Sequence, residues 1–231
     1  MIYSFSRLAL YELCPFRFYL KYVMKRDEPI TIPLALGKAT HRGIECIVQT
    51  GCSVEEAVME GLIAADFYPI SRTDLVWLIR SAPVYKGMGK TETHFTLSLG
   101  DSSSSPKIQG YIDLEMEDSF VDWKTGRVPY GIWDTMQIPL YAWAILKQRP
   151  IQSVKGSLYF LRYRKWVTET FDRSLAERGR KWAYDLAMRI EQAQFLLEQF
   201  PDRVNEIYPA KPSHRCKDCP FALECYQTFK K

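Results

Sequence analysis

The chain has 231 residues, of which 47% are apolar and 25% charged. That composition excludes a disordered chain, which combines low hydrophobicity with high net charge, and no apolar run approaches the roughly 18 residues of a membrane span. Lys and Arg total 31 against 27 Asp and Glu, a net charge of +4 that permits nucleic-acid binding without arguing for it.

The opening MIYSFSRLALYELC meets Arg7 and Glu12 too early for a signal-peptide core, so a soluble cytoplasmic protein with no membrane partner is expected. Residues 4–24 place Leu8, Tyr11, Leu13, Phe16, Leu20 and Val23 at helical spacing. Ser4 or Ser6 can cap the start, and Pro15 interrupts this helix or begins a second. Further helices are predicted over 34–50, ended by Gly51; over 54–67, after the Ser53–Glu56 capping box; and over about 72–81. The period then changes. Residues 91–99 alternate as a strand, 100–106 (GDSSSSP) form a loop, and 107–117 and 119–124 read as two strands joined by a tight turn. A helix over 133–148, a hairpin of 153–163 with 166–172, and a long helix over 174–200 stopped by Pro201 follow. This order predicts one α/β domain: a helical part over about 1–88, a core over about 89–200, and a cysteine-rich tail over about 201–231.

The sequence concentrates chemistry in Gly110–Asp113 (GYID) and Val121–Lys124 (VDWK). A period of two puts Asp122 and Lys124 on one strand face, and the short turn brings Asp113 near Asp122. Two carboxylates this close repel unless a divalent cation lies between them, and Mg²⁺ or Mn²⁺ suits such oxygen ligands. Lys124 beside them can orient or deprotonate an attacking water, or neutralise charge in the transition state. His41, in Gly37–His41 (GKATH), can join a carboxylate metal site as neutral imidazole, and Gly37 one turn earlier lets another backbone approach. Gln137 and Tyr141 are i and i+4, so they share a helical face suited to phosphate or base contacts. Glu45, Glu92 and Glu115 are additional carboxylates, expected to lie outside the ligand set.

Of six cysteines, Cys216, Cys219 and Cys225 have tight ligand spacing and leave one position open. His214 would complete a local zinc site, and Cys14 would complete a four-cysteine site fit for a [4Fe–4S] cluster. Cys46 and Cys52 are expected to be ordinary buried or free thiols. In the hairpin, Arg162, Arg164 and Lys165 interleave with Tyr159, Tyr163 and Trp166, a pattern suited to single-stranded DNA, where bases stack and phosphates pair. Arg7, Arg17 and Lys21 extend the basic surface on this reading.

Taken in order, Cys14, Gly37–His41, Gly110–Asp113, Asp122–Lys124, Gln137–Tyr141 and the three tail cysteines resemble the RecB-like branch of the PD-(D/E)XK nucleases. The likeness is to the CRISPR-associated and stand-alone single-domain exonucleases that carry an iron–sulfur cluster, and it spans residues 14–225. It implies a restriction-endonuclease-like core, with a central mixed sheet flanked by helices, an N-terminal helical insertion and an iron–sulfur tail. It implies a metal-dependent DNA exonuclease acting on single strands or strand ends. His41, Asp113, Asp122 and the Trp123 carbonyl would hold Mg²⁺ or Mn²⁺. Lys124 would be catalytic, and Gln137 and Tyr141 would complete the site. Cys14, Cys216, Cys219 and Cys225 would bind a [4Fe–4S] cluster. CRISPR adaptation or recombination proteins would be partners. The rival reading is a non-catalytic DNA-binding module stabilised by the cluster or by zinc; retention of every acid and of Lys124 favours the enzyme.

Overall fold

A computed structural model describes residues 2–229, and the chain divides into two compact units. One unit takes residues 1–29, 96–109 and 181–231; the other takes 30–95 and 110–180. In chain order the elements begin with β1 (Ile2–Ser4), α1 (Phe5–Leu13) and α2 (Pro15–Phe18). Then come α3 (Ile32–Thr50), α4 (Val54–Ala64), α5 (Arg72–Ser81), β2 (Lys90–Ser98), β3 (Lys107–Glu115) and β4 (Ser119–Lys124). They continue with α6 (Gln137–Gln148), β5 (Ser153–Phe160), β6 (Lys165–Asp172), α7 (Arg173–Gln199), α8 (Val204–Ile207) and α9 (Ala222–Phe229). Among the described residues no helix is long and apolar enough to cross a membrane.

In the first unit, the expected helix from residue 4 is preceded by a strand. Ile2–Ser4 pairs in parallel with residues 107–109 of β3, Tyr3 opposite Ile108, and Tyr3 is fully buried. Three residues are too few to show a period, so the strand is invisible to pattern. Ser4 then caps α1, its Oγ accepting the Arg7 N–H. Pro15 opens α2 at its first position, where the missing N–H is no loss. Residues 19–23 continue as a π-helical turn.

The second unit is a mixed sheet with helices on its faces. β2 pairs with β3; β3 and β4 are antiparallel, β4 and β5 parallel, β5 and β6 antiparallel. Along β4, Val121 and Trp123 enter the apolar core made with α3, α4 and α5. The alternate residues Phe120, Asp122 and Lys124 face the other way, toward α6, where Phe120 and Ile138 both border Gly156 of β5. Gly179 of α7 lies so close to the backbone of Pro139 and Leu140 that a Cβ there would overlap it.

Three boundaries differ from expectation. α4 stops at Ala64, because Asp66 and Phe67 take left-handed backbone, φ 49° and 51°. α6 begins at Gln137; residues 132–134 form a separate 3₁₀ turn, with the Asp134 carboxylate taking the Gly131 N–H at 2.7 Å. The hairpin turn spans 161–164, where Arg164 has φ 49°. Cys46 and Cys52, expected as separate thiols, are joined by a disulfide with Cα atoms 6.2 Å apart. Gly51, left-handed at φ 73°, ends α3 and reverses the chain, which carries Cys52 back over the last helical turn.

Candidate active site

A cavity of about 970 Å³ opens in the second unit. His41, Asp113, Asp122, Trp123, Lys124, Gln137 and Tyr141 all line it, so the chain brings together in space the residues spread over a hundred positions in sequence. β3 and β4 pair at Leu114 with Val121 and Glu115 with Phe120, next to their turn. Beyond those pairs the Trp123 N–H is taken by Asp113 Oδ2 at 2.7 Å, a side chain standing in for a ladder carbonyl. His41, reaching in from α3, sits between the same two residues: Nδ1 is 3.2 Å from Asp113 Oδ1 and Nε2 is 3.0 Å from the Trp123 carbonyl oxygen.

On the α6 side the polar groups form a closed set. Lys124 Nζ is 2.6 Å from Asp122 Oδ2 and donates to Gln137 Oε1 at 2.7 Å. Gln137 Nε2 donates to Asp122 Oδ1 at 2.7 Å and lies 3.5 Å from the Tyr141 hydroxyl. The i,i+4 pairing expected of Gln137 and Tyr141 is thus one amide serving as a bridge from strand to helix. Gly110 is the space this needs: a Cβ there would come within 2.7 Å of the Phe95 ring and 3.1 Å of the Tyr141 ring.

Burial sets the electrostatics. Asp122 is 3% exposed, and burial, reinforced by Asp113, raises its pKa against the pull of Lys124. Burial alone would lower the Lys124 pKa, but Asp122 more than offsets it and keeps the ammonium charged. Burial would likewise lower His41, yet Asp113 carries it up to about 9. Burial and then Asp113 push Glu92 up to about 7, and burial with Asp122 raises Tyr141.

One ligand atom each from His41, Glu92 and Asp113 lie within 4.8 Å of one another, and the buried Asp122, held by Lys124 and Gln137, lines the same cavity. These donors fit a divalent cation. Glu45 also lines the cavity, whereas Glu115 does not: Arg149, just past α6, takes its carboxylate at 3.3 Å. Gly37 faces the cavity, and Thr125 Oγ1, 3.5 Å from where a Cβ would stand, is the nearest atom, so no protein backbone uses the space expected of it. Tyr130 was missed by sequence reasoning. It lines the cavity and hydrogen-bonds Lys124, but it sits in an irregular loop where no period marks it.

The basic hairpin residues do not line this cavity. Arg162 Nε donates to the Thr125 carbonyl at 2.8 Å and its guanidinium lies 5.7 Å from the Trp77 ring of α5. Arg164 is 3.5 Å from Ser81 Oγ, Lys165 is exposed, and Trp166 packs on Tyr159 at 4.5 Å. In the first unit, Arg7 lies on the Tyr22 ring, and Arg17 and Lys21 are both paired with Glu28, so these three cations are engaged within the protein.

Also in the first unit, Cys14, Cys216, Cys219 and Cys225 line one apolar pocket of about 370 Å³, beside Phe16 and Phe229; His214 is not among the lining residues. All four are free thiols, and Cys225 is pushed up by burial and then by Cys14, Cys219 and Cys216. Cys14 lies at the break before α2, Cys216 lies within a short 3₁₀ turn (His214–Asp218), and Cys219 follows that turn.

No curated protein matches the chain. A solved structure described as "Crystal structure of SSO0001" is similar over 97% of this chain and 85% of that one, at 14% identity and a TM-score of 0.44. The profile of the PD-(D/E)XK nuclease superfamily matches residues 2–226, almost the whole chain and every residue of the cavity described above. The chain belongs to the PD-(D/E)XK nuclease superfamily.

Proposed function

We propose that this nuclease is a metal-dependent DNA exonuclease of the RecB-like type that removes nucleotides from single strands or strand ends. The observation that carries the reading is the convergence of His41, Asp113, Asp122, Lys124, Gln137 and Tyr141 on one cavity. His41, Asp113, Asp122 and the Trp123 carbonyl would hold Mg²⁺ or Mn²⁺. When bound, the cation supplies charge stabilisation at the scissile phosphate and a water of lowered pKa. The chain's own part is positioning. Gln137 and Asp122 fix the Lys124 ammonium from two sides, so it meets a phosphate oxygen or the attacking water without first reorganising. Tyr141, tied to Gln137, borders the same space from α6. Arg162 holds the Thr125 carbonyl and so steadies the chain leaving Lys124; Arg164, Lys165 and Trp166 offer a basic, aromatic surface for the rest of a strand.

The four thiols of the first unit would hold a [4Fe–4S] cluster with a structural role. The grouping of Cys14 with the tail cysteines, and not His214, supports this. CRISPR adaptation, recombination or repair in the cytoplasm is the setting we infer, with proteins of those pathways as partners.

The test uses end-labelled single- and double-stranded DNA with Mg²⁺ or Mn²⁺. Stepwise release of label from linear single strands, loss of activity in chelator, and loss in Asp122→Asn and Lys124→Ala are expected. Activity that survives excess chelator, or full activity in either variant, removes the assignment; cutting of circular single strands removes the exonuclease part of it.

A further inference from the structure

His41, Asp113 and Glu92 reach the cavity from α3, β3 and β2, and a ligand atom of each lies within 4.8 Å of the other two. Two of the three are committed elsewhere. His41 contacts the Trp123 carbonyl and Asp113, and Asp113 takes the Trp123 N–H. The Glu92 carboxylate lines the same cavity and is engaged in neither a side-chain hydrogen bond nor a salt bridge among the described residues. Its backbone is also unusual. Glu92 sits inside β2 with φ 49°, a left-handed conformation that is costly for a residue with a Cβ and that redirects the side chain relative to a regular strand. The charge in this space is unbalanced: Asp113, Glu45 and Asp122 all repel the Glu92 carboxylate and His41 attracts it, while Lys124 is committed to Asp122 Oδ2 at 2.6 Å.

We propose that Glu92 is a direct ligand of the divalent cation, sharing it with His41 and Asp113. The inference rests on the metal-dependent reading and adds to it a ligand outside the GYID and VDWK motifs. A set of one imidazole nitrogen and two carboxylates suits Mn²⁺ better than Mg²⁺, which prefers oxygen ligands and water. The strained backbone at Glu92 would then be the means by which a strand residue is aimed at the ion.

The experiment is calorimetric titration of the intact protein with Mn²⁺ in the absence of DNA, for the wild type, Glu92→Gln and Glu92→Gly. Both variants are expected to bind Mn²⁺ at least tenfold more weakly. Glu92→Gly suits a positive φ, so its Tm should be no lower than that of the wild type, which separates loss of a ligand from loss of the fold. Mn²⁺ affinity within twofold of wild type in the two variants overturns the ligand assignment and leaves the nuclease reading standing. A wild type that binds no Mn²⁺ and cleaves no DNA overturns both.

Discussion

Asp113 accepts the backbone N–H of Trp123 at 2.7 Å, so one carboxylate both closes the gap between β3 and β4 and faces the cavity. The two duties separate on substitution. Asp113→Ala leaves the Trp123 N–H without its partner, a loss of about 1–3 kcal/mol, and removes activity as well. Asp113→Asn keeps a carbonyl that can accept the same hydrogen bond and removes one of the mutually repelling charges near Asp122. It also removes the charge that pairs with His41, so it should lose less stability than Asp113→Ala while losing turnover by about a thousandfold or more. Chemical denaturation together with the end-label assay checks both; an active Asp113→Asn would contradict the role of its charge.

Gln137 is expected to matter through its neighbours. Its amide bonds Asp122 Oδ1 and Lys124 Nζ at once. Gln137→Ala leaves a buried carboxylate oxygen unpartnered and the ammonium held from one side only, which should destabilise by about 1–3 kcal/mol and slow turnover roughly 10- to 100-fold. Gln137→Glu places a further negative charge beside Asp122 and should be at least as damaging. If turnover in Gln137→Ala matched the wild type, the bridge would be structural only.

Two glycines set limits on packing. Gly179→Ala drives a methyl into the backbone of Pro139 and Leu140, which no rotamer change relieves, and should cost about 1–3 kcal/mol or more. Gly110→Ala overlaps the Phe95 ring first and presses on Tyr141 as well, so it should cost less stability and more activity, because Phe95 packs edge-on against Tyr141. Measuring urea midpoints and turnover for the pair distinguishes the two patterns.

Glu28 gives a pH dependence with a definite sign. Burial raises its pKa, but hydrogen bonds from Lys21 at 2.5 Å and Arg17 at 2.9 Å prevail, and the folded-state pKa lies below the ordinary value. A depressed carboxylate contributes stability above its unfolded pKa of about 4.3, and that contribution fades as pH falls through the folded value. The Tm difference between the wild type and Glu28→Gln should therefore be present near neutrality and shrink below about pH 4. A difference that grows on acidification would reverse the sign argued here.

The site was more legible in the sequence than the fold around it. GYID, VDWK and QIPLY each carry chemistry at a fixed spacing within one element, and His41 lies on a long helix with a clear period, so their grouping followed from local pattern and resemblance. β1 was too short to show alternation, and the early end of α4 and the late start of α6 depend on positive φ at Asp66 and Phe67 and on a side-chain cap at Asp134. Glu92 and Glu115 are the instructive pair. Both are strand carboxylates of equal sequence merit, and only three dimensions show that Arg149 takes Glu115 while an inverted φ leaves Glu92 facing the cavity. The Cys46–Cys52 disulfide depended in the same way on the reversal at Gly51.

The four thiols of the first unit make the last prediction. Cys14 stands 202 positions before Cys216, yet both line the same pocket with Cys219 and Cys225. A group ligated by all four closes a loop of that length, which by analogy with a long disulfide loop stabilises on the order of 5 kcal/mol. Burial, and then repulsion among the four, disfavours ionised thiols here, as at Cys225, so a cationic centre is needed to hold them as thiolates. A cluster predicts that anaerobically prepared protein is brown, with roughly four irons and four sulfides per chain. Cys14→Ala should then lose the colour and lower Tm, whereas His214→Ala should change neither, because His214 does not line the pocket. A zinc site predicts the opposite pair of results: colourless protein with one zinc per chain, indifferent to Cys14→Ala and destabilised by His214→Ala. Metal analysis of the two variants decides between them, and the zinc pattern would remove the cluster while leaving the cavity of Asp113, Asp122 and Lys124 untouched.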